Sequence, residues 1–311
     1  MATREDLRAS RELRTERVDR LNTASVRRVI EPDAEVLGEF TAPQIIPDDL
    51  LSVAGLGLEL TDAQKSRLAR EELASMMRIG ITFEAVLMAG FAFRLAVSPD
   101  VTDPRFTYAL HEIGEETRHS RLFARVVAQL APRQRNPIDS RLSRRIRGRM
   151  MPLVMRRPAT LDALVLGGEE VPDLLQKLVS EHPDADDYLR RISLYHRQEE
   201  ARHLAYARTT VAEHYRAAGW TDRFALRWIV PGAIAFMFDM MVHPWVYPTI
   251  GLPAWKTWLA ARRSAERVEL RHQACRSVLK ALLDSGVFRP GRVPYSWRRH
   301  CAVDRHGVPV G

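Results

Sequence analysis

Apolar residues recur at three- and four-residue intervals over several long stretches of the chain, while the strict alternation of a half-buried strand is almost absent. The pattern predicts an all-α fold. Thr61 with Gln64 three residues on is a capping-box signal that opens a helix over 62–97, and Asp103 before Pro104 opens a second to about 130. Beyond a loop with Pro132 and Pro137, a third long helix is predicted over about 161–180. A fourth covers about 184–218, with HPDAD between them. Two more helical patterns, about 222–246 and 254–285, carry Trp228, Phe236, Phe238, Trp255 and Trp258, which read as core or subunit contacts. An amphipathic N-terminal stretch with Leu7, Leu13, Val18, Leu21 and Val26 leads into a Pro- and Asp-containing loop. Residues 1–50 are therefore expected to form an arm that wraps the bundle, and 286–311 a Gly-, Pro- and Arg-rich tail.

The polar interruptions of this pattern carry the chemistry. Glu115-Glu116-Thr117-Arg118-His119 and Glu199-Glu200-Ala201-Arg202-His203 repeat one motif inside two of the long helices. An i, i+3 spacing puts Glu116 over His119 and Glu200 over His203, so each pair can offer an oxygen and a nitrogen to one metal. A lone Glu-x-x-His is more often a surface ion pair. Two copies match ferritin-like di-metal proteins, which add one Glu from each of two further helices. Glu84, a charge in the apolar run Gly80 to Met88, is costly to bury unpaired; a metal ion is the simplest partner and Arg94 the alternative. On the third helix Glu169 and Glu170 both qualify. Glu169 lies closer in helical phase to the stripe of Leu161, Leu164, Val165 and Leu175, although Pro172 and the paired glycines could rotate Glu170 inward. His196, four residues before Glu200, falls on the same stripe as a further ligand or as a donor that orients one, and the equivalent position in the first half is Glu112.

The expected architecture is thus a ferritin-like (ribonucleotide reductase-like) long-helix bundle with additional helices and an N-terminal arm. With 311 residues, 46% hydrophobic, the chain can bury one large core, and a single domain over 1–311 is expected. Cys275 and Cys301 suggest neither a disulfide framework nor a zinc site, which fits a cytoplasmic setting. The N-terminus lacks the apolar core of a secretory signal. The stretch 79–97 is interrupted by Glu84 and Arg94, so no membrane span is expected. The charge of +8 is modest, and the Arg-rich stretch 141–157 has no interleaved aromatics. It reads as a solvated helix face, and no nucleic-acid partner is expected.

Four segments, LTDAQKSRLAREELASMMRIGITFEAVLM, EETRH, GGEEVPDLLQ and above all HRQEEARH, resemble the family of p-aminobenzoate N-oxygenase and related arylamine N-oxygenases. The resemblance implies two iron ions held by Glu84, Glu116, His119, Glu169, His196, Glu200 and His203, with no catalytic residue beyond these ligands. It implies O2 as co-substrate, an amine oxidised toward hydroxylamine, nitroso or nitro products, and a homodimer. Electrons are expected from an external reductant, since no flavin or nicotinamide fingerprint occurs. The member acting on p-aminobenzoate holds the substrate carboxylate with an arginine and an asparagine that have no clean counterparts here; Arg78, the nearest basic residue before Glu84, differs in helical phase. Rival readings are a di-iron hydroxylase or desaturase acting on carbon and a radical-generating subunit using Tyr108 or Tyr206. A third is a non-catalytic metal-binding or helical interaction protein.

Overall fold

The computed structural model describes residues 4–310, except for the side chains of residues 4–11, 13 and 14; the expected apolar positions Leu7 and Leu13 lie outside the described side chains. In chain order the helices are α1 Arg4–Arg27, α2 Pro32–Glu35, α3 Asp62–Ala96, α4 Pro104–Leu130, α5 Arg141–Met155 and α6 Pro158–Glu181. They continue with α7 Asp187–Ala217, α8 Trp220–Phe224, α9 Val230–Met240, α10 Ala254–Ala261, α11 Ala265–Asp284 and α12 Tyr295–Cys301. No strand occurs among the described residues. The fold is all-α, as the periodicity requires.

The four long helices begin where local chemistry starts them. Thr61 and Gln64 exchange side-chain bonds with each other's backbone N–H groups at the head of α3, and Asp103 accepts from the Arg105 N–H ahead of α4. Pro172 sits inside α6 without ending it, and both Gly167 and Gly168 are helical. Of the two further expected helices, one is locally rewound and the other is divided. The 222–246 pattern forms one uninterrupted helical run, Trp220–Met240, that widens into a π-helical turn over Ala225–Ile229 just ahead of Pro231, which has no N–H to give, and it stops short of 246. The 254–285 pattern divides where Ser264 turns and caps α11 through Arg267 N. The Gly-, Pro- and Arg-rich tail contains α12, whose Trp297 is fully buried and donates to Leu226 O at 3.0 Å.

Two apolar clusters form the interior. Along α3 the second cluster (Leu68 to Met77) precedes Glu84 and the first (Leu87, Phe91) follows it; along α4 the order is reversed around Glu112 to His119. α7 runs from the second cluster at Tyr188 to Tyr195, through His196 to His203, into the first at Leu204 to Ala212. The charged residues thus occupy the seam between the clusters, and α3 and α4 are antiparallel. Of the five aromatics read as core or contact residues, Phe238 and Trp258 are buried, whereas Trp228, Phe236 and Trp255 are exposed. α5 contributes no buried residue, in keeping with a solvated basic helix. Two segments, Asp62–Ala96 and Trp220–Ile250, are long and apolar enough to cross a bilayer, and both supply residues to the interior clusters.

The arm wraps the bundle through directed bonds. Arg121 and Arg125 of α4 pair with Glu31 and Asp33, and Tyr188 donates to Val36 O. Asp186, the N-cap of α7, accepts from Tyr188 N (2.9 Å) and Leu189 N (3.2 Å) with one oxygen, and from Thr41 N (2.9 Å) and Ala42 N (2.8 Å) with the other. One carboxylate therefore caps the helix and ties down the arm. Asp186→Ala is expected to lower unfolding stability by about 2–4 kcal/mol, read as a shift of the urea midpoint at unchanged slope.

Candidate metal centre

Each middle residue of the seam is delivered by one of the long helices: Glu84 by α3, Glu116 and His119 by α4, Glu169 by α6, and His196, Glu200 and His203 by α7. All seven are buried, none more than 4% exposed. Glu84, His119, His196 and Glu200 each offer one ligand atom such that the four atoms lie within 4.8 Å of one another, and Glu116, Glu169, Glu200 and His203 do the same. Glu200 belongs to both quartets.

Glu200 and His203 share one quartet, as their i, i+3 spacing leads one to expect, whereas Glu116 and His119 fall in different quartets. His119 Nδ1 is 3.1 Å from Glu116 and 3.2 Å from Glu200, while His203 Nδ1 is 2.9 Å from Glu200 and 3.2 Å from Glu116. Both glutamates thus lie between the two imidazoles, the disposition of bridging carboxylates. His196 Nε2 lies 3.4 Å from Glu84 and from Glu200, and Nδ1 is 3.1 Å from Gln176 Oε1. With Gln176 accepting from Nδ1–H, Nε2 is left with a lone pair facing the carboxylates.

The remaining residues of the doubled motif form a crossed support. His119 Nε2 meets Glu199 at 2.9 Å and His203 Nε2 meets Glu115 at 2.8 Å, each carboxylate coming from the other helix. Arg118 reaches Glu199 at 3.4 Å, Arg202 reaches Glu115 at 3.0 Å, and Tyr195 donates to Glu199 at 3.0 Å. These bonds hold both rings with Nδ1 toward the quartets. The sequence carried their signal in the identity of Glu, Glu, Arg and His at matching positions of both copies.

Residues 11–286, which contain every member of both quartets, match the family described as P-aminobenzoate N-oxygenase AurF. The chain belongs to this family. It is also similar, at 26% identity over 239 residues covering 72% of this chain and 68% of the relative, to uncharacterized protein Mb0909 of Mycobacterium bovis. Uncharacterized protein Rv0885 of Mycobacterium tuberculosis is similar in the same measure. No solved structure matches.

This AurF-family site passes a test of fit for two divalent cations. Among the described residues, no arginine or lysine lies within ion-pair distance of Glu84, Glu116, Glu169 or Glu200. One oxygen each of Glu116, Glu169 and Glu200 has no hydrogen-bond partner. Burial, reinforced by the neighbouring Glu116, holds Glu84 well above the ordinary carboxylate range; burial and Glu200 do the same to Glu169. Burial disfavours the imidazolium of His119 and His203. Hydrogen bonds to Glu116 and Glu199 nevertheless hold His119, and the charges of Glu200 and Glu116 hold His203, well above the usual imidazole value. His196, with burial dominant, is pushed down to about 4. The carboxyls of Glu84 and Glu169 and the imidazoles of His119 and His203 are thus all biased toward their protonated forms, and divalent cations bound among them would displace protons.

Other residues singled out by sequence lie elsewhere. Glu170 faces Arg208 rather than the quartets, Arg94 pairs with Asp162 rather than Glu84, and Arg78 is bound to Asp139 and Thr82. Glu112 is buried with both oxygens unpartnered. Tyr108 and Tyr206 pack together, ring centroids 4.3 Å apart. Beside the quartets an apolar cavity, walled by Met76, Phe83, Phe123 and Leu175, is also lined by Glu84 and His196.

Because loading must displace protons held above their usual pKa, lowering the pH is expected to weaken divalent-metal binding. Titration calorimetry in buffers of different ionisation enthalpy checks this: proton release on binding is expected, and its absence contradicts the assignment. Glu199→Gln, which loosens the His119 ring without touching the quartets, is expected to reduce metal affinity about 10- to 100-fold in equilibrium dialysis.

Proposed function

We propose that the chain is an O2-dependent oxygenase that holds two iron ions and oxidises the nitrogen of an amine, taking electrons from an external reductant. The observation that carries this reading is the pair of buried quartets sharing Glu200 and meeting an apolar cavity at Glu84 and His196. Mixed carboxylate and imidazole ligation suits a metal that changes oxidation state.

Glu84, Glu116, His119, Glu169, His196, Glu200 and His203 would hold the two ions. When bound, these supply the electrons and Lewis acidity that activate O2. The chain's own residues set the conditions for that chemistry. Glu115 and Glu199 fix the two imidazole rings, and Gln176 fixes His196. Phe83, Phe123 and Leu175 exclude water and seat an apolar substrate body against the wall that Glu84 and His196 form. Burial pushes the carboxyl of Glu112 well above the ordinary range, and its charge interactions reach His203 and Glu116.

The test is incubation of iron-loaded, chemically reduced protein with 18O2 and a panel of aryl and alkyl amines, followed by mass spectrometry. Label is expected on nitrogen, and Glu200→Ala, which removes the ligand common to both quartets, is expected to abolish it. Label on carbon would assign a hydroxylase instead, and no labelled product from any amine would overturn the oxygenase reading.

A further inference from the structure

Seven arginines and no acidic residue occur between Ser140 and Leu161. Five lie on α5, which packs on α3 and α6, and Arg156 and Arg157 directly follow it. The inner face of α5 is formed by Ser143, Arg147, Met151 and Val154, all half-buried. Arg147 donates to Ile138 O at 2.7 Å, and Val154 packs against the interior. Arg141, Arg144, Arg145, Arg149 and Arg156 occupy the outer arc. All five are exposed, and none of their guanidinium groups has a hydrogen bond or ion pair with a described residue.

The same helix exposes apolar surface. Leu142, Ile146, Met150 and Leu153 are 68%, 53%, 51% and 47% exposed. Helical phase sets them within an arc of about 80°, between the inner face and the arginines. Four large apolar side chains in water along one helix form a contact surface, because a helix that only faces solvent carries polar residues there. At the far end Pro158 O accepts from Arg94 at 3.1 Å, which brings the end of α3, with the exposed Phe93 and Val97, to the same corner.

Three kinds of partner could cover this face, and two satisfy only half of it. An acidic protein complements the guanidinium groups and leaves the stripe without a counterpart. A second copy of the chain covers the stripe but brings two arginine arcs together, with no acidic residue in the stretch to pair them. An anionic bilayer surface satisfies both halves: phosphates accept from the guanidinium forks, and the boundary of the acyl region takes up the stripe. We infer that α5 is a peripheral membrane-docking helix that lays Leu142, Ile146, Met150 and Leu153 into the headgroup boundary of a bilayer containing anionic phospholipids. The docking needs no spanning segment and is independent of the N-oxygenase reading. Because α5 packs on α3 and α6, it holds the helices of Glu84 and Glu169 next to the lipid.

Cosedimentation of the full-length, iron-loaded protein with vesicles tests this. Binding to phosphatidylcholine vesicles that contain phosphatidylglycerol is expected to be at least about 100-fold tighter than to phosphatidylcholine alone, and to weaken as salt rises. Arg145→Gln with Arg149→Gln is expected to lower affinity for the anionic vesicles about 30-fold, and Ile146→Gln with Met150→Gln at least about 10-fold. All four side chains are exposed, so the thermal midpoint and iron content of both variants are expected to match the wild type. Equal binding to both kinds of vesicle, binding to neither, or anionic binding that survives either double substitution would overturn the proposal. Sedimentation equilibrium without lipid decides on a second copy: a dimer that dissociates in Ile146→Gln with Met150→Gln assigns the stripe to self-association and removes the bilayer. Tight binding of an acidic ferredoxin, abolished by Arg145→Gln with Arg149→Gln while vesicles stay unbound, assigns the face to a protein carrier and likewise defeats the inference.

Discussion

Placing Glu84, Glu116, Glu169 and Glu200 together in the interior is electrostatically prohibitive unless positive charge lies among them, and the architecture is arranged around that constraint. The four come from four helices, so no local rearrangement can separate them without unpacking the bundle. The imidazoles of His119 and His203 stand between the carboxylates, and the apolar clusters on either side keep water from screening the charges. Low dielectric makes every charge interaction in the seam strong, which is also why a pair of cations fits it.

Around this seam the chain repeats itself. The α3–α4 and α6–α7 hairpins each supply a lone glutamate from the first helix and a Glu-Glu-x-Arg-His motif from the second. Neither hairpin is complete, because each imidazole is held by the carboxylate of the opposite copy. The repeat is broken where function is expected to need asymmetry. His196 occupies the position that Glu112 holds in the first copy, and Tyr195 supports Glu199 where no tyrosine supports Glu115. The cavity opens on the His196 side, so the two metal positions would differ in both ligand set and access.

The elements added to the four-helix core complete the surroundings of this cavity. Arg267 and Leu270 of α11 close one part of its wall, and Ile46 of the arm and Met241 beyond α9 contribute others. The cavity wall therefore combines residues of the ligand-bearing helices, such as Phe83, Phe123 and Leu175, with residues from other parts of the chain.

The all-α class, the four long helices and the seven carboxylates and imidazoles that gather in the quartets were legible in the amino-acid sequence, although α6 starts at Pro158 rather than near 161 and α7 at Asp187 rather than near 184. Each follows from short-range rules: Thr61 and Gln64 cap within three residues, Glu116 and His119 share a face one turn apart, and Glu169 rather than Glu170 keeps phase with Leu161, Leu164 and Val165. Tertiary structure alone decided what depends on distant segments meeting. It set Glu116 and Glu200 against the imidazole of the opposite copy as well as each against its own, and crossed Glu115 and Glu199 to the opposite histidines. It also wound a π-helical turn ahead of Pro231, broke the last long helix at Ser264, folded part of the tail into α12, and brought Arg267 to a cavity whose other walls come from distant parts of the chain. Helical periodicity states which face is buried; which partner that face meets is set by the packing of the whole bundle.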